Sequence, residues 1–186
     1  MTPEDLDDAA ARPAPPPYPA ITAGQRAHGR RLAAIHDMYR AELQAVAGLL
    51  AAIRAETEAP GALVQAVGGL QLTRNFRLFG TACGRDCALL QNHHDIEEGW
   101  MFPVLEERGG APLAPVIARL RAEHKVIHRL IEDLHDAAAA LRDAPSVEAF
   151  EDCALRFGDL DRAIRSHFGY EETALEEPLG ALGVPI

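Results

Sequence analysis

"HHDIEEGWMFP", residues 93 to 103, places two adjacent histidines ahead of two adjacent glutamates and a bulky apolar run. On a helix, residues four apart share a face, so His93 can pair with Glu97, or His94 with Glu98. Either pair is typical of metal ligation, because imidazole and carboxylate are common ligands of transition metals. The stretch alone leaves the choice between the two pairs open.

A second version of this stretch favours one of the pairs. "HFGYEETALEEP", residues 167 to 178, repeats the first histidine and both glutamates but has Phe168 in place of His94. When the two stretches are aligned, His93 matches His167, and this is the only position of the motif with a histidine in both copies. The repeat therefore indicates that His93 and Glu97 form the buried pair.

The other two residues of the motif are predicted to lie on its flank. His94 and Glu98 are rotated by about 100° from the inner stripe of the helix, which is the rotation of one residue. Exposed helix pairs contribute little stability, so we interpret His94 and Glu98 as a surface or boundary pair. Glu98 and its counterpart Glu172 remain candidates for hydrogen bonds to metal ligands.

Each copy of the motif follows a helix with one aligned histidine. "LAAIHDMYRAEL" (32 to 43) and "LRAEHKVIHRLI" (120 to 131) align His36 with His124. The chain therefore contains an internal repeat of two helices, in which a helix with one aligned histidine precedes a helix with His-x-x-x-Glu.

The helix faces that are predicted to point inward carry more candidate ligands than one metal ion needs. A buried carboxylate is costly unless it is paired, protonated or bound to a metal, and Arg40 is almost the only basic residue on these faces. One tetrahedral zinc ion takes four ligands, and calcium and magnesium prefer oxygen, whereas five imidazoles and two carboxylates suit two octahedral iron ions. The candidate ligands are His36, His93, Glu97, His124, His128, His167 and Glu171.

Composition and apolar spacing predict an all-α fold. Only 5% of residues are aromatic, and no alternating strand pattern competes with the helical periodicity. Four long helices with short connections predict an antiparallel up-down four-helix bundle. The predicted helices span approximately residues 25–58, 63–108, 113–141 and 147–176.

The domain boundaries follow from composition. The bundle is expected to span residues 23–180, with a C-terminal tail at residues 181–186. Residues 1–22 hold six of the thirteen prolines and are expected to form a disordered tail.

Charge and composition argue against several partners and locations. The net charge of −10 disfavours nucleic acid, and no apolar run approaches the roughly 20 residues needed to cross a bilayer. The N-terminus lacks the basic and apolar regions of a signal peptide, and three cysteines fit a reducing compartment. We therefore expect a cytoplasmic protein, with its oligomeric state open. Cys83 and Cys87, one turn apart, are interpreted as small packing residues, with a redox-active pair or a strained disulfide as the alternatives.

The constellation resembles the hemerythrin-like (HHE cation-binding) domain family over about residues 25 to 180. The motifs "HHxxEExxxFP" and "HFxxEE" carry the resemblance, together with the histidines of the preceding helices. A ferritin-like protein would show Glu-x-x-His pairs and more carboxylates. The resemblance implies two iron ions, with the histidines as terminal ligands, Glu97 and Glu171 as bridges, and an oxo or hydroxo group as a third bridge.

The resemblance also implies that the two ions are coordinated unequally. Arg40 stands where the second copy has His128, so the first ion would receive two histidines and the second three. The first ion would keep an open position for O₂, peroxide or nitric oxide. His128 could instead hydrogen-bond to a ligand, since many family members have one histidine on that helix.

The function implied is a non-haem di-iron protein that binds O₂ or a related small oxidant for storage, delivery or sensing. Two alternatives stay open, namely a di-iron enzyme that acts on peroxide or nitric oxide and an iron- or redox-sensing interaction protein. No catalytic residue is predicted. The side chains expected to flank the ligands, as core or as an apolar pocket, are Tyr39, Arg40, Trp100, Met101, Phe168 and Tyr170.

Overall fold

A computed structural model of the chain describes residues 1–55, 59–69 and 90–186. These ranges contain helices and no strand, which confirms the all-α prediction, and none of their helices is long and apolar enough to cross a bilayer. Cys83 and Cys87 lie outside the described residues. The α-helices are α1 Ala23–Gly29, α2 Arg31–Arg54, α3 Pro60–Gly69, α4 Leu90–Ile96, α5 Phe102–Gly109, α6 Ala114–Asp143 and α7 Val147–Ala181. The shorter elements are 3₁₀ turns at Glu4–Leu6 and Ala9–Ala11 and a π-helix at Glu97–Met101.

Local sequence sets the ends of several helices. Thr22 and Gln25 form a reciprocal capping box at the start of α1. Oγ of Ser146 accepts a hydrogen bond from the backbone N–H of Ala149 at 3.1 Å and so caps the start of α7. Gly110 follows α5 with φ of 62°, a left-handed conformation that glycine adopts without strain.

The described chain divides into two compact units. The first comprises residues 1–37, 94–126 and 163–186, and the second comprises residues 127–162 and the described part of 38–93. Most buried apolar residues of the first unit form one core, which includes Leu32, Met101, Phe102, Leu105, Leu120, Leu175 and Leu179. Buried apolar residues of the second unit include Leu43, Val46, Leu50, Ile127, Leu134, Phe157 and Leu160.

The π-helix lies inside the motif that begins at residue 93. Glu97 and Met101 are buried in it, as is Phe102 directly after it, whereas Trp100 is 43% exposed. The wider π turn directs the fourth residue after Glu97 inward instead of the third, so Trp100 does not belong to the core, which was one of its two predicted places. Pro103 lies in the first turn of α5, where its missing N–H is tolerated, and it does not end the helical run.

The Pro-rich N-terminal segment makes specific contacts, so its predicted disorder is not confirmed. Leu6 is fully buried, and its carbonyl accepts a hydrogen bond from the hydroxyl of Ser166. The Tyr170 hydroxyl donates to the carbonyl of Pro13 at 2.9 Å, and the Arg12 guanidinium lies 4.8 Å from the Tyr170 ring centroid. The high proline content led to the prediction of disorder, although a few side chains of this segment have partners in the same unit.

Candidate metal centre

Six ionisable side chains of the first unit are buried together. Each is at most 1% exposed. Groups of this kind are costly to bury unless they are paired or bound to a cation. We call them the ligand cluster, and its members are His36, His94, Glu97, His124, His167 and Glu171.

The ligand atoms of the cluster form two closely spaced sets. One set consists of three imidazoles, and the other contains one imidazole and two carboxylates. Within each set, one ring nitrogen or carboxylate oxygen per residue lies within 4.8 Å of the others. The sets are His94, His124 and His167, and His36, Glu97 and Glu171.

The two glutamates face imidazoles of both sets. Oε2 of Glu171 lies 3.4 Å from Nε2 of His36 and 3.6 Å from Nε2 of His167. Oε2 of Glu97 lies 3.4 Å from Nε2 of His124. These contacts have the lengths of ion pairs and exceed those of short, aligned hydrogen bonds. Each carboxylate therefore lies next to imidazoles of both sets.

Buried atoms without a hydrogen bond indicate that the cluster binds a cation. Within the described part of the chain, Nε2 of His167 and both carboxylate oxygens of Glu171 are buried and have no hydrogen-bond partner. Such orphan atoms are rare in folded proteins and require an explanation, such as a bound ion. Imidazole and carboxylate donors together suit a transition metal, so the residues present fit a metal centre.

The buried groups perturb the protonation of one another. Burial and the neighbouring Glu171 carboxylate raise the pKa of Glu97 well above its ordinary value. Burial also opposes ionisation of Glu171, but the adjacent imidazoles of His36 and His167 lower its pKa to about 2. Burial disfavours charge on His36 too, yet Glu171 and Glu172 raise the pKa of His36 to about 9. A metal ion must therefore displace a proton to bind His36 near neutral pH.

Three further glutamates hold the outer nitrogens of cluster histidines, and we call them the outer carboxylates. In each case Nδ1–H of the imidazole donates to a carboxylate oxygen, which fixes the ring with its Nε2 towards Glu97 or Glu171. Glu123, unlike the other two, was not predicted, because it immediately precedes His124 and no repeat marks it. The pairs are His36–Glu172 at 2.8 Å, His124–Glu98 at 2.9 Å and His167–Glu123 at 3.0 Å.

Two arginines neutralise Glu123. Arg12 donates through Nε and Nη2 to the two carboxylate oxygens at 2.9 and 3.0 Å, and Arg119 donates to one of them at 2.7 Å. Burial would raise the pKa of Glu123, but the hydrogen bonds from His167 and Arg12 lower it to about 2. The N-terminal segment thus reaches the metal centre through the chain of contacts Arg12, Glu123 and His167.

Replacing Arg12 by alanine should lower the free energy of unfolding by about 2–3 kcal/mol. Its side chain is 8% exposed, and truncating one member of a buried ion pair costs about 3–5 kcal/mol, which Arg119 partly offsets here. Arg30→Ala is the matched control, because Arg30 pairs with Glu176 at the exposed surface and such pairs contribute about 0–1 kcal/mol. Chemical denaturation of the two variants checks the prediction, and equal effects would contradict it.

The second unit contains four of the predicted site residues. His93 is 8% exposed, and its ring stacks on that of buried Tyr39 with 5.7 Å between centroids. His128 and Arg40 are half-buried. His128 is not a member of the ligand cluster.

In the first unit, one of the predicted flanking residues, Phe168, lies directly against the ligand cluster. Phe168 is fully buried, and its ring stacks on that of His36 with 3.8 Å between centroids. Met101 is 4% exposed, and Tyr170 is half-buried with its hydroxyl directed at the N-terminal segment. Of these three residues, Phe168 provides the predicted apolar contact with a cluster histidine.

The predicted surface position of His94 is wrong. His94 is fully buried, and its ring stacks on that of His124 with 3.9 Å between centroids. Phe168, its counterpart in the repeat, stacks on His36 in the same way. The repeat therefore already indicated that His94 is buried, because it aligns His94 with Phe168, and a bulky aromatic residue at the equivalent position indicates an interior position.

Comparison with known proteins agrees with the geometry. The chain matches the family model of the hemerythrin HHE cation binding domain over residues 27–177, a span that includes every member of the ligand cluster. No curated protein and no solved structure matches the chain. The predicted resemblance is thus confirmed, and the histidine and glutamate groups are positioned to hold metal. The chain belongs to the hemerythrin HHE cation-binding domain family.

Proposed function

We propose that the chain is a non-haem di-iron protein that binds O₂ or a related small oxidant for storage, delivery or sensing. The observation that supports this function is the ligand cluster, in which two buried carboxylates face imidazoles of both sets. We also propose that the helices form an antiparallel up-down four-helix bundle, the architecture in which inward-facing side chains build such centres.

The proposed ligands divide between two iron ions. Glu97 and Glu171 would bind both ions, since each carboxylate offers two oxygens. His93 is included because the repeat matches it to His167 and because it precedes Glu97 by four residues. The proposed terminal ligands are His36 and His93 on the first ion and His124 and His167 on the second.

The contribution of the protein is to orient the ligands and to exclude water. The outer carboxylates fix three imidazoles with Nε2 directed at the cluster. Phe168 covers His36, and the Phe102 ring lies 5.4 Å from that of His124. When two iron ions are bound, they can supply two electrons to a small oxidant. The apolar cover would keep that exchange away from bulk solvent.

Visible spectroscopy of the iron-loaded protein tests this function. The protein is loaded anaerobically with two equivalents of Fe(II) and exposed to one equivalent of O₂, which is then removed under argon. We expect a visible absorption band that appears with O₂ and disappears on its removal, and His167→Ala serves as a control without a complete cluster. Rapid turnover of hydrogen peroxide or nitric oxide would instead support the alternative function, a di-iron enzyme that acts on one of these two compounds. No response to any of the three oxidants would contradict the proposed function.

A further inference from the structure

The set of three imidazoles contains a histidine to which the repeated motif assigns no role. We propose that His94 is the third imidazole ligand of the second metal ion, beside His124 and His167. This inference rests on the proposed metal centre and specifies how its second ion is held. It gives His94 the place that the family resemblance gave to His128.

The geometry of the three rings supports this assignment. His94 is fully buried, and its ring meets that of His167 edge-on, with 5.5 Å between centroids and planes at 84°. Ring nitrogens of His94, His124 and His167 lie within 4.8 Å of one another. Two nitrogens bound to one ion at about 2.1 Å can be at most about 4.2 Å apart, so small side-chain rotations bring all three into range.

The chemistry of the repeat distinguishes a ligand from a stacking ring. Phe168 shows that a purely apolar ring satisfies the stacking position beside His36. An imidazole in the equivalent position beside His124 stacks in the same way but also brings a nitrogen ligand atom to the set, which phenylalanine lacks. Metal ligation gives the histidine of the first copy a role that its counterpart Phe168 cannot have.

The assignment also explains why two adjacent histidines occur in the motif. Successive residues of a helix point about 100° apart, so His93 and His94 can serve different ions. The first ion then receives the imidazoles of His36 and His93, and the second receives three. The inequality between the two ions that was attributed to His128 is retained with a different residue.

The variant His94→Phe tests the inference, because phenylalanine is what the other copy of the repeat has at this position. Metal per chain and affinity are measured with Fe(II) and Co(II) by elemental analysis and chelator competition. We expect two ions per chain in the unmodified protein, and in His94→Phe a loss of affinity of at least about 100-fold for one ion only, which exceeds the effect of losing a hydrogen-bonded neighbour of a ligand. His128→Phe is the matched control and should keep both ions.

The possible outcomes separate this inference from the proposed function. If His94→Phe binds two ions with unchanged affinity, or if His128→Phe loses the second ion instead, the inference is overturned and the metal centre stands. If the unmodified protein binds no metal, the proposed function itself fails. His94→Gln provides a second variant in case phenylalanine impairs folding. It should lose the same ion, and full retention of both ions would overturn the inference.

Discussion

Anaerobic loading with Fe(II) should raise the Tm of the protein by at least about 10 °C. Six ionisable groups, each at most 1% exposed, lie together in the ligand cluster, so a bound cation removes much of the cost of their burial. Binding at free metal about 1,000 times Kd stabilises the folded state by about 4 kcal/mol per site. For a domain of this size, each kcal/mol raises the Tm by about 2–4 °C.

Differential scanning calorimetry with and without metal measures this shift. Magnesium is the appropriate control, because it prefers oxygen ligands and binds imidazole poorly. We expect a shift of less than about 2 °C with magnesium at the same concentration, which corresponds to less than about 1 kcal/mol. Equal shifts with the two metals, or no shift with Fe(II), would show that the cluster is not a transition-metal site.

Replacing Glu171 by glutamine should weaken the binding of both metal ions by about 100-fold or more. Glu171 is fully buried, and its Oε2 faces Nε2 of His36 in one set and of His167 in the other. Glutamine keeps the shape of the side chain but removes the negative charge and one of the two oxygen ligands. Because losing a hydrogen-bonded neighbour of a ligand already costs about 10–100-fold, losing a bridging ligand should cost more.

Glu172→Gln is the matched control for this prediction. Glu172 is the next residue in the chain, and its carboxylate is hydrogen-bonded to Nδ1 of His36. We expect this variant to weaken binding of the first ion by about 10–100-fold and to leave the second nearly unchanged. Chelator competition on both variants decides the matter. If Glu171→Gln weakens only one ion, then Glu171 is a terminal ligand and does not bridge.

The burial of most members of the ligand cluster was predictable, because helical spacing and an internal repeat constrain these residues together. His36, His124, His167 and Glu171 all lie where the aligned motifs predict, buried in one unit. The error on His94 has a physical origin. The prediction assumed that a rotation of about 100° around the helix moves His94 out of the buried face. A helix face that packs against other elements can, however, bury two adjacent positions.

Contacts that depend on tertiary structure could not be predicted. Arg12 and Glu123 are separated by 111 residues and lie outside every motif, yet they form a two-point ion pair next to a cluster histidine. The inward direction of Met101, in preference to Trp100, depends on a π-helix for which the sequence has no marker. Spacing arguments assume a regular helix, and they fail where the helix widens.

The most direct test of the metal centre is the number of iron ions per chain. The protein is loaded anaerobically with excess Fe(II), freed of unbound metal by gel filtration, and analysed for iron and for protein by independent methods. We predict two iron ions per chain in the unmodified protein and fewer than one in Glu171→Gln. A value well below two for the unmodified protein, or two for both proteins, would contradict the account of the ligand cluster as a carboxylate-bridged di-iron site.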